Sequence, residues 1–215
     1  MENRKHQDPT LDRSGTSSKT EKKDGNVQHA WLPYLYDFVV LIAGVLLVFS
    51  LLFRIVVVSG PSMNNTLVNG DWLLLLNNVF YNEPKRGDIV VASKDSFDNG
   101  APIIKRVIAT EGQIVDIDFV RGVVIVDGVE LDEPYTLTPT NLMEGVVFPL
   151  TVEKGCVFVM GDNRNVSKDS RSTEIGLVDC REILGKAIFL CFPGDPDGPN
   201  HPQERDFGRI GVIAK

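Results

Sequence analysis

The sequence predicts a mostly β protein, an antiparallel β-rich domain that follows one N-terminal transmembrane helix. Three observations carry that expectation. Residues 38–53 read F-V-V-L-I-A-G-V-L-L-V-F-S-L-L-F, with no charged side chain. Beyond Arg54, short runs rich in β-branched residues recur at 55–58, 89–91, 103–108, 114–117, 123–126, 157–160 and 187–192; such runs, bounded by turn residues, read as strands. Asp127-Gly128 stands between V-V-I-V and V-E-L, a strong hairpin signal because both turn positions need positive φ. No long amphipathic helical period and no internal repeat breaks the pattern.

The elements follow in order. Residues 1–30 are polar and mix Arg4, Lys5, Arg13, Lys19, Lys22 and Lys23 with Glu2, Asp8, Asp12, Glu21 and Asp24. A segment with so little apolar surface cannot offset its chain entropy, so a disordered tail is expected. Residues 31–54 reach the roughly 20 residues that cross a hydrocarbon core. Trp31, Tyr34 and Tyr36 lie at one end, where amphipathic rings favour the membrane interface. Ser50 is the sole polar side chain in 38–53, which argues against a core helix with a polar face. A cleaved leader would be short and basic and end in an A-x-A site; here a long segment with five acidic side chains precedes and Arg54 follows. Lys19, Lys22 and Lys23 flank one end and only Arg54 the other. The expected topology is therefore a single-pass cell-membrane protein with its N-terminus cytoplasmic. Residues 1–30 form the cytoplasmic tail, 31–54 the anchor and 55–215 an extracytoplasmic domain. Residues 193–205, rich in Pro, Gly and Asp, read as a surface loop.

Composition narrows the chemistry. A chain of 215 residues holds one ordinary domain plus an anchor, and 43% of its residues are hydrophobic. The net charge of −7 argues against a nucleic-acid partner, which needs clustered Lys and Arg; membrane lipid remains the expected partner of the apolar helix. Cys156, Cys180 and Cys191 show neither C-x-x-C nor metal-ligand spacing. Three small buried side chains, or one disulfide with a thiol left over, both stay open. No metal site is expected.

A serine is a weak nucleophile until a base takes its proton, and that base is usually histidine. His6 and His29 lie before the anchor and His201 lies in the Pro-rich loop, so a Ser-His-Asp triad is disfavoured. Lysine remains. Its ordinary pKa is about 10.4, and burial lowers it by disfavouring the charged form. Lys105 stands in A-P-I-I-K-R-V-I-A (101–109), flanked by apolar residues on a predicted strand. Alternation would turn Lys105 inward and Arg106 outward. Ser62 stands in V-V-V-S-G-P-S-M-N-N-T-L (56–67), where Gly60-Pro61 suits a turn that presents a hydroxyl. Its own N–H could contribute to an oxyanion hole. Eight residues past Arg54, it lies at most about 26 Å from the membrane end.

Three motifs in order after an anchor, S-G-P-S-M-N-N-T-L (59–67), I-K-R-V-I (104–108) and G-D-N-R-N-V-S-K-D-S-R (161–171), resemble the bacterial type I signal peptidases over residues 31–193. The resemblance implies a signal-peptidase-like β-rich catalytic domain that uses a Ser-Lys dyad and no cofactor. It makes Ser62 the nucleophile, Lys105 the general base and Ser167 the hydroxyl that orients the lysine. The position that often carries a second oxyanion donor is Gly60, so a side-chain donor is missing there. Met63 is similar to the residue that helps line the substrate pocket. Asp162, Arg164, Asp169 and Arg171 resemble charged residues that brace the site. The implied substrates are secretory preproteins with small side chains at the first and third positions before the cut. Asn65 replaces a usual Pro, and Ala109, Glu111 and Gln113 depart from a usual G-x-P-G-D turn; these touch loop shape rather than the dyad. Lysine rather than histidine at 105 resembles the prokaryotic type. Two rivals are a self-cleaving repressor domain, which the apolar stretch and acidic charge oppose, and a non-catalytic anchored binding or assembly protein.

Overall fold

A long apolar run can bury its own backbone only by pairing N–H and C=O groups within itself, and the first element is accordingly helical. The computed structural model describes residues 31–195 and 205–213; the expected tail at 1–30 lies outside them, as do residues 196–204 of the expected surface loop. Helix α1 spans Leu32–Leu52, 21 residues with no side chain buried in the protein. At 1.5 Å per residue that is about 31 Å, close to the thickness of a hydrocarbon core. Its mean hydropathy of 2.5 makes it long and apolar enough to cross a membrane.

Twelve strands follow among the described residues: β1 (Phe53–Val57), β2 (Trp72–Asn77), β3 (Ile89–Ser93), β4 (Pro102–Thr110), β5 (Ile114–Asp118), β6 (Val123–Val126), β7 (Val129–Glu130), β8 (Leu150–Thr151), β9 (Cys156–Met160), β10 (Val178–Asp179), β11 (Ile183–Phe192) and β12 (Gly211–Val212). They build two sheets. The larger has the order β1-β2-β11-β3-β4-β9-β10, with β12 also on β11, and the smaller the order β7-β6-β5-β8. Every pairing is antiparallel. Each of the seven β-branched runs lies on one of these strands, apart from Val58 at the end of the first. The turn between β6 and β7 puts Asp127 at φ 54° and Gly128 at φ 79°, as a two-residue hairpin of primed type requires.

Strand β2 carries no β-branched residue. Its W-L-L-L-L-N sequence also lacks polar alternation, so only pairing with β1 and β11 defines it. There Leu73 and Leu75 turn into the core while Leu74 and Leu76 are half-buried.

Three apolar clusters hold the domain. Met63 and Leu67, from the β1–β2 loop, pack with Leu73, Leu75, Val91 and Leu190. Ile108 and Phe158 of the larger sheet pack with Val115 and Val124 of the smaller one, joining the two sheets. Val90, Val107, Val159 and Ile183 form the third cluster. Strand β4 therefore has core on both faces, and 105–109 is a continuous buried run. That overturns the expectation that Arg106 faces out: alternation separates two environments only where one side of a sheet meets water. Residues 193–195 are likewise buried rather than on a surface loop. The three cysteines are free and half-buried.

Phe158 is fully buried and meets the Phe148 ring edge-on, with centroids 5.9 Å apart. Phe158→Ala should cost about 3–5 kcal/mol through lost burial and a residual cavity. In urea unfolding of the full-length protein in detergent micelles, a midpoint equal to wild type would contradict this packing.

Candidate active site

The β1–β2 loop positions Ser62. Val58 N–H donates to the Asp71 carbonyl and Gly70 N–H to the Val58 carbonyl, which closes the loop at its base. Gly60 adopts φ +89°, a conformation that favours glycine, and its N–H donates to Asn69 Oδ1 at 3.0 Å. Asn64 N–H donates to the Pro61 carbonyl, and Thr66 and Leu67 N–H groups to that of Met63, forming a tight helical turn. Buried Met63 and Leu67 fasten this turn to the core.

Lys105 arrives from β4, in register with Val90 of β3. It is 4% exposed, and its Nζ donates to Ser62 Oγ at 2.9 Å. Burial pushes the amine down to about 8, against the opposing pull of Asp169, Glu144 and Asp162. At about 1.4 kcal/mol per tenfold change in a proton equilibrium, the net displacement corresponds to roughly 3 kcal/mol against the charged form. Both side chains open into a cavity of about 540 Å³ whose walls include Val56, Val58, Met63, Phe97 and Ile104.

The 161–171 segment lies behind the dyad. Arg106 donates from Nε to Asp162 Oδ1 at 2.9 Å and from Nη2 to Asp162 Oδ2 at 2.7 Å, and its guanidinium sits 3.9 Å from the Tyr135 ring centre. Asp162 also accepts a short hydrogen bond from Thr66 Oγ1, tying this segment to the serine loop. Asn163 N–H donates to the Ser62 carbonyl at 3.0 Å. Arg164 makes a two-pronged ion pair with Glu133, and Arg171 does the same with Asp169. Asp169 accepts from Gly161 N–H as well. Each charge is therefore buried with a partner, the arrangement that limits desolvation cost.

Ser167 differs from the arrangement implied by the resemblance. Its Oγ is buried and makes no hydrogen bond among the described residues, while Lys105 Nζ donates to Ser62 Oγ. It does lie close by: a Cβ placed on Gly161 would sit 2.3 Å from Ser167 Oγ and 2.5 Å from the Ser62 carbonyl oxygen. Gly161 is thus required by close approach rather than by its φ.

Sequence reasoning missed several contributors. Arg106, Thr66, Tyr135 and Glu133 enter only through contacts distant in the chain; an arginine inside an apolar strand was the one available signal for Arg106. Glu144 was missed too. Burial and the neighbouring Asp169 push its carboxyl up, and its Oε2 is buried without a hydrogen-bond partner among the described residues.

The family model for signal peptidase, peptidase S26, matches residues 31–192. The chain belongs to this family. A signal peptidase I of Bacillus licheniformis is 32% identical over 182 residues, which cover 81% of this chain and 95% of the relative. A probable signal peptidase I-1 of Synechocystis is 38% identical over 161 residues, 69% of this chain and 79% of the relative. A crystal structure of a signal peptidase I from Enterococcus faecalis aligns with 48% of this chain and 96% of its own, at 30% identity and a TM-score of 0.40.

In this family member the unusual 109–113 turn has its own support. Gln113 Oε1 accepts from Thr110 N–H at 3.0 Å, Gln113 Nε2 donates to Asp127 at 2.8 Å, and Glu111 accepts from Gly155 N–H at 2.8 Å. Side chains thus supply contacts to the turn.

Asp162→Ala would leave the Arg106 guanidinium charged and 1% exposed. The expected loss is about 3–5 kcal/mol of stability, since an uncompensated buried charge is left behind. Equilibrium unfolding within 1 kcal/mol of wild type, on the order of the value for an exposed pair, would refute this account.

Proposed function

We propose that this membrane-anchored serine peptidase cleaves signal peptides from exported preproteins with Ser62 as nucleophile and Lys105 as general base. The observation that carries the reading is the 2.9 Å hydrogen bond between a buried amine and a serine hydroxyl. An unprotonated Lys105 takes the Ser62 proton as Oγ attacks the scissile carbonyl, then returns it to the leaving amine. The same amine next activates the water that hydrolyses the acyl-enzyme. Neutral lysine keeps two N–H donors, and the buried Ser167 Oγ is the acceptor proposed to orient it. The Ser62 N–H receives the developing oxyanion; Gly60 supplies shape but no side-chain donor. No step requires a metal or organic cofactor.

The groove supports the proposed specificity. Apolar walls from β1 and β4 close on the dyad, with room for small side chains at the first and third positions before the cut. A preprotein laid along these strands would meet the site through backbone pairing and side-chain pockets. The basic residues before α1 support a cytoplasmic N-terminus and an extracytoplasmic catalytic domain. Asp162, Arg164, Asp169 and Arg171 act as bracing rather than as reactants.

Ser62→Ala and Lys105→Met should each reduce cleavage of a signal-peptide substrate by about 10³-fold or more while the circular dichroism of the fold persists. Cleavage by either variant at the wild-type rate would overturn the dyad assignment. A separate expectation concerns pH. Lys105 is inactive while protonated, so kcat/KM should rise with pH and level off above about 8. At pH 6 the rate should be roughly 100-fold below the plateau, and a profile flat from pH 6 to 9 would exclude a lysine base.

A further inference from the structure

The family match ends at residue 192, and the chemistry above leaves the C-terminal segment without a role. That segment turns back onto the larger sheet. Strand β12 pairs with β11, Ile213 N–H donates to the Ile188 carbonyl at 3.2 Å, and the Phe207 ring meets Phe192 edge-on. Between these contacts stands Arg209. Its Nη1 donates to Asp71 Oδ1 at 3.0 Å, and its Nη2 donates to Asp71 Oδ2 at 2.6 Å and to the Thr66 carbonyl at 3.2 Å.

Asp71 is fully buried and accepts two more bonds, from Val68 N–H at 2.8 Å and Gly194 N–H at 2.7 Å. Gly194 lies so near that a Cβ on it would be 2.2 Å from the Asn69 carbonyl oxygen. The C-terminal arm therefore grips the base of the 58–71 loop. Thr66 is the junction: its carbonyl accepts from Arg209, while its hydroxyl donates to Asp162 and accepts from Arg106 Nη2. Thr66 stands three residues from Met63 and four from Ser62, so Arg209 bonds to the same turn that carries the serine.

We propose that Arg209 is a positioning residue for peptide hydrolysis, clamping the loop through Asp71 and Thr66 so that Ser62 Oγ stays on Lys105 Nζ. The proposal rests on the reading of Ser62 and Lys105 as the dyad. Its physical basis is the planar, bidentate guanidinium, which satisfies both carboxylate oxygens and still reaches a carbonyl; lysine cannot do all three. Without Arg209, Asp71 keeps a buried charge lacking its partner, and the Thr66 carbonyl loses its donor. Two effects then converge on Lys105. The hydroxyl drifts from the amine, which slows attack, and water reaches the amine, which restores its affinity for a proton. Arg209 contacts none of the groove walls on β1 and β4, so kcat should suffer more than KM.

The test compares full-length wild type, Arg209→Gln, Arg209→Lys and Phe207→Ala in detergent micelles on one signal-peptide substrate. Arg209→Gln should lower kcat about tenfold or more with KM within about twofold, since small misplacement of reacting groups has a large rate effect. It should also move the acid limb of the pH profile upward by about one pH unit. Arg209→Lys should fall between wild type and the glutamine variant. Phe207→Ala removes the ring contact with Phe192 but keeps the Arg209–Asp71 ion pair, so its melting temperature should fall while its acid limb stays in place. Wild-type kcat and an unmoved limb in Arg209→Gln, or equal limb shifts in Arg209→Gln and Phe207→Ala, would overturn the proposal while leaving the dyad intact. Should Arg209→Gln fail to fold, Arg209→Lys against Phe207→Ala decides by the same two readouts. A wild-type protein that leaves the peptide uncut removes the dyad reading and this proposal together.

Discussion

The structure depends on one dehydrated contact, the Lys105 amine held against the Ser62 hydroxyl in a site where water scarcely reaches. An ordinary lysine is charged at neutral pH and cannot accept a proton. Here the neutral form is favoured because β4 lies inside the larger sheet with core on both faces. Burial opposes the charge, and the nearby carboxylates Asp169, Glu144 and Asp162 limit how far it is opposed. The balance leaves the amine below the ordinary lysine range, the direction that the proposed base role requires.

Keeping that contact dry needs rigid surroundings, and the fold supplies them with paired charges instead of apolar packing alone. Arg106–Asp162, Arg171–Asp169 and Arg164–Glu133 surround the dyad. Such pairs contribute little net stability, because their desolvation offsets their attraction. Their geometry is directional, however, and each arginine also donates to backbone carbonyls of neighbouring segments. The network therefore fixes where loops without regular secondary structure lie. Arg209–Asp71 extends the same principle to the serine loop from the far end of the chain.

Much of the fold was legible in the sequence. The apolar stretch at 38–53, the β-branched runs and Asp127-Gly128 mark the helix, seven strands and a hairpin, since each depends on local periodicity or turn chemistry. Strand β2 was not legible, because four consecutive leucines carry no period of two. Ser62 and Lys105 emerged as candidates once histidine was eliminated, and the order of three motifs pointed to the family. The outward Arg106 and the exposed start of the 193–205 loop were misread. Each misreading assigned a side chain from local pattern where burial on a second face, or a contact far along the chain, decided the matter.

The amino-acid order alone thus settled which segments are apolar, where turns fall and which serine and lysine are chemically plausible. Those properties are local, carried by a few adjacent side chains and their backbone preferences. The tertiary structure decided that the two groups meet across a separation of 43 positions in the chain, that the amine is buried, and that Arg209 closes on Asp71. Proximity and dehydration arise only when distant segments pack together, so no window of sequence encodes them.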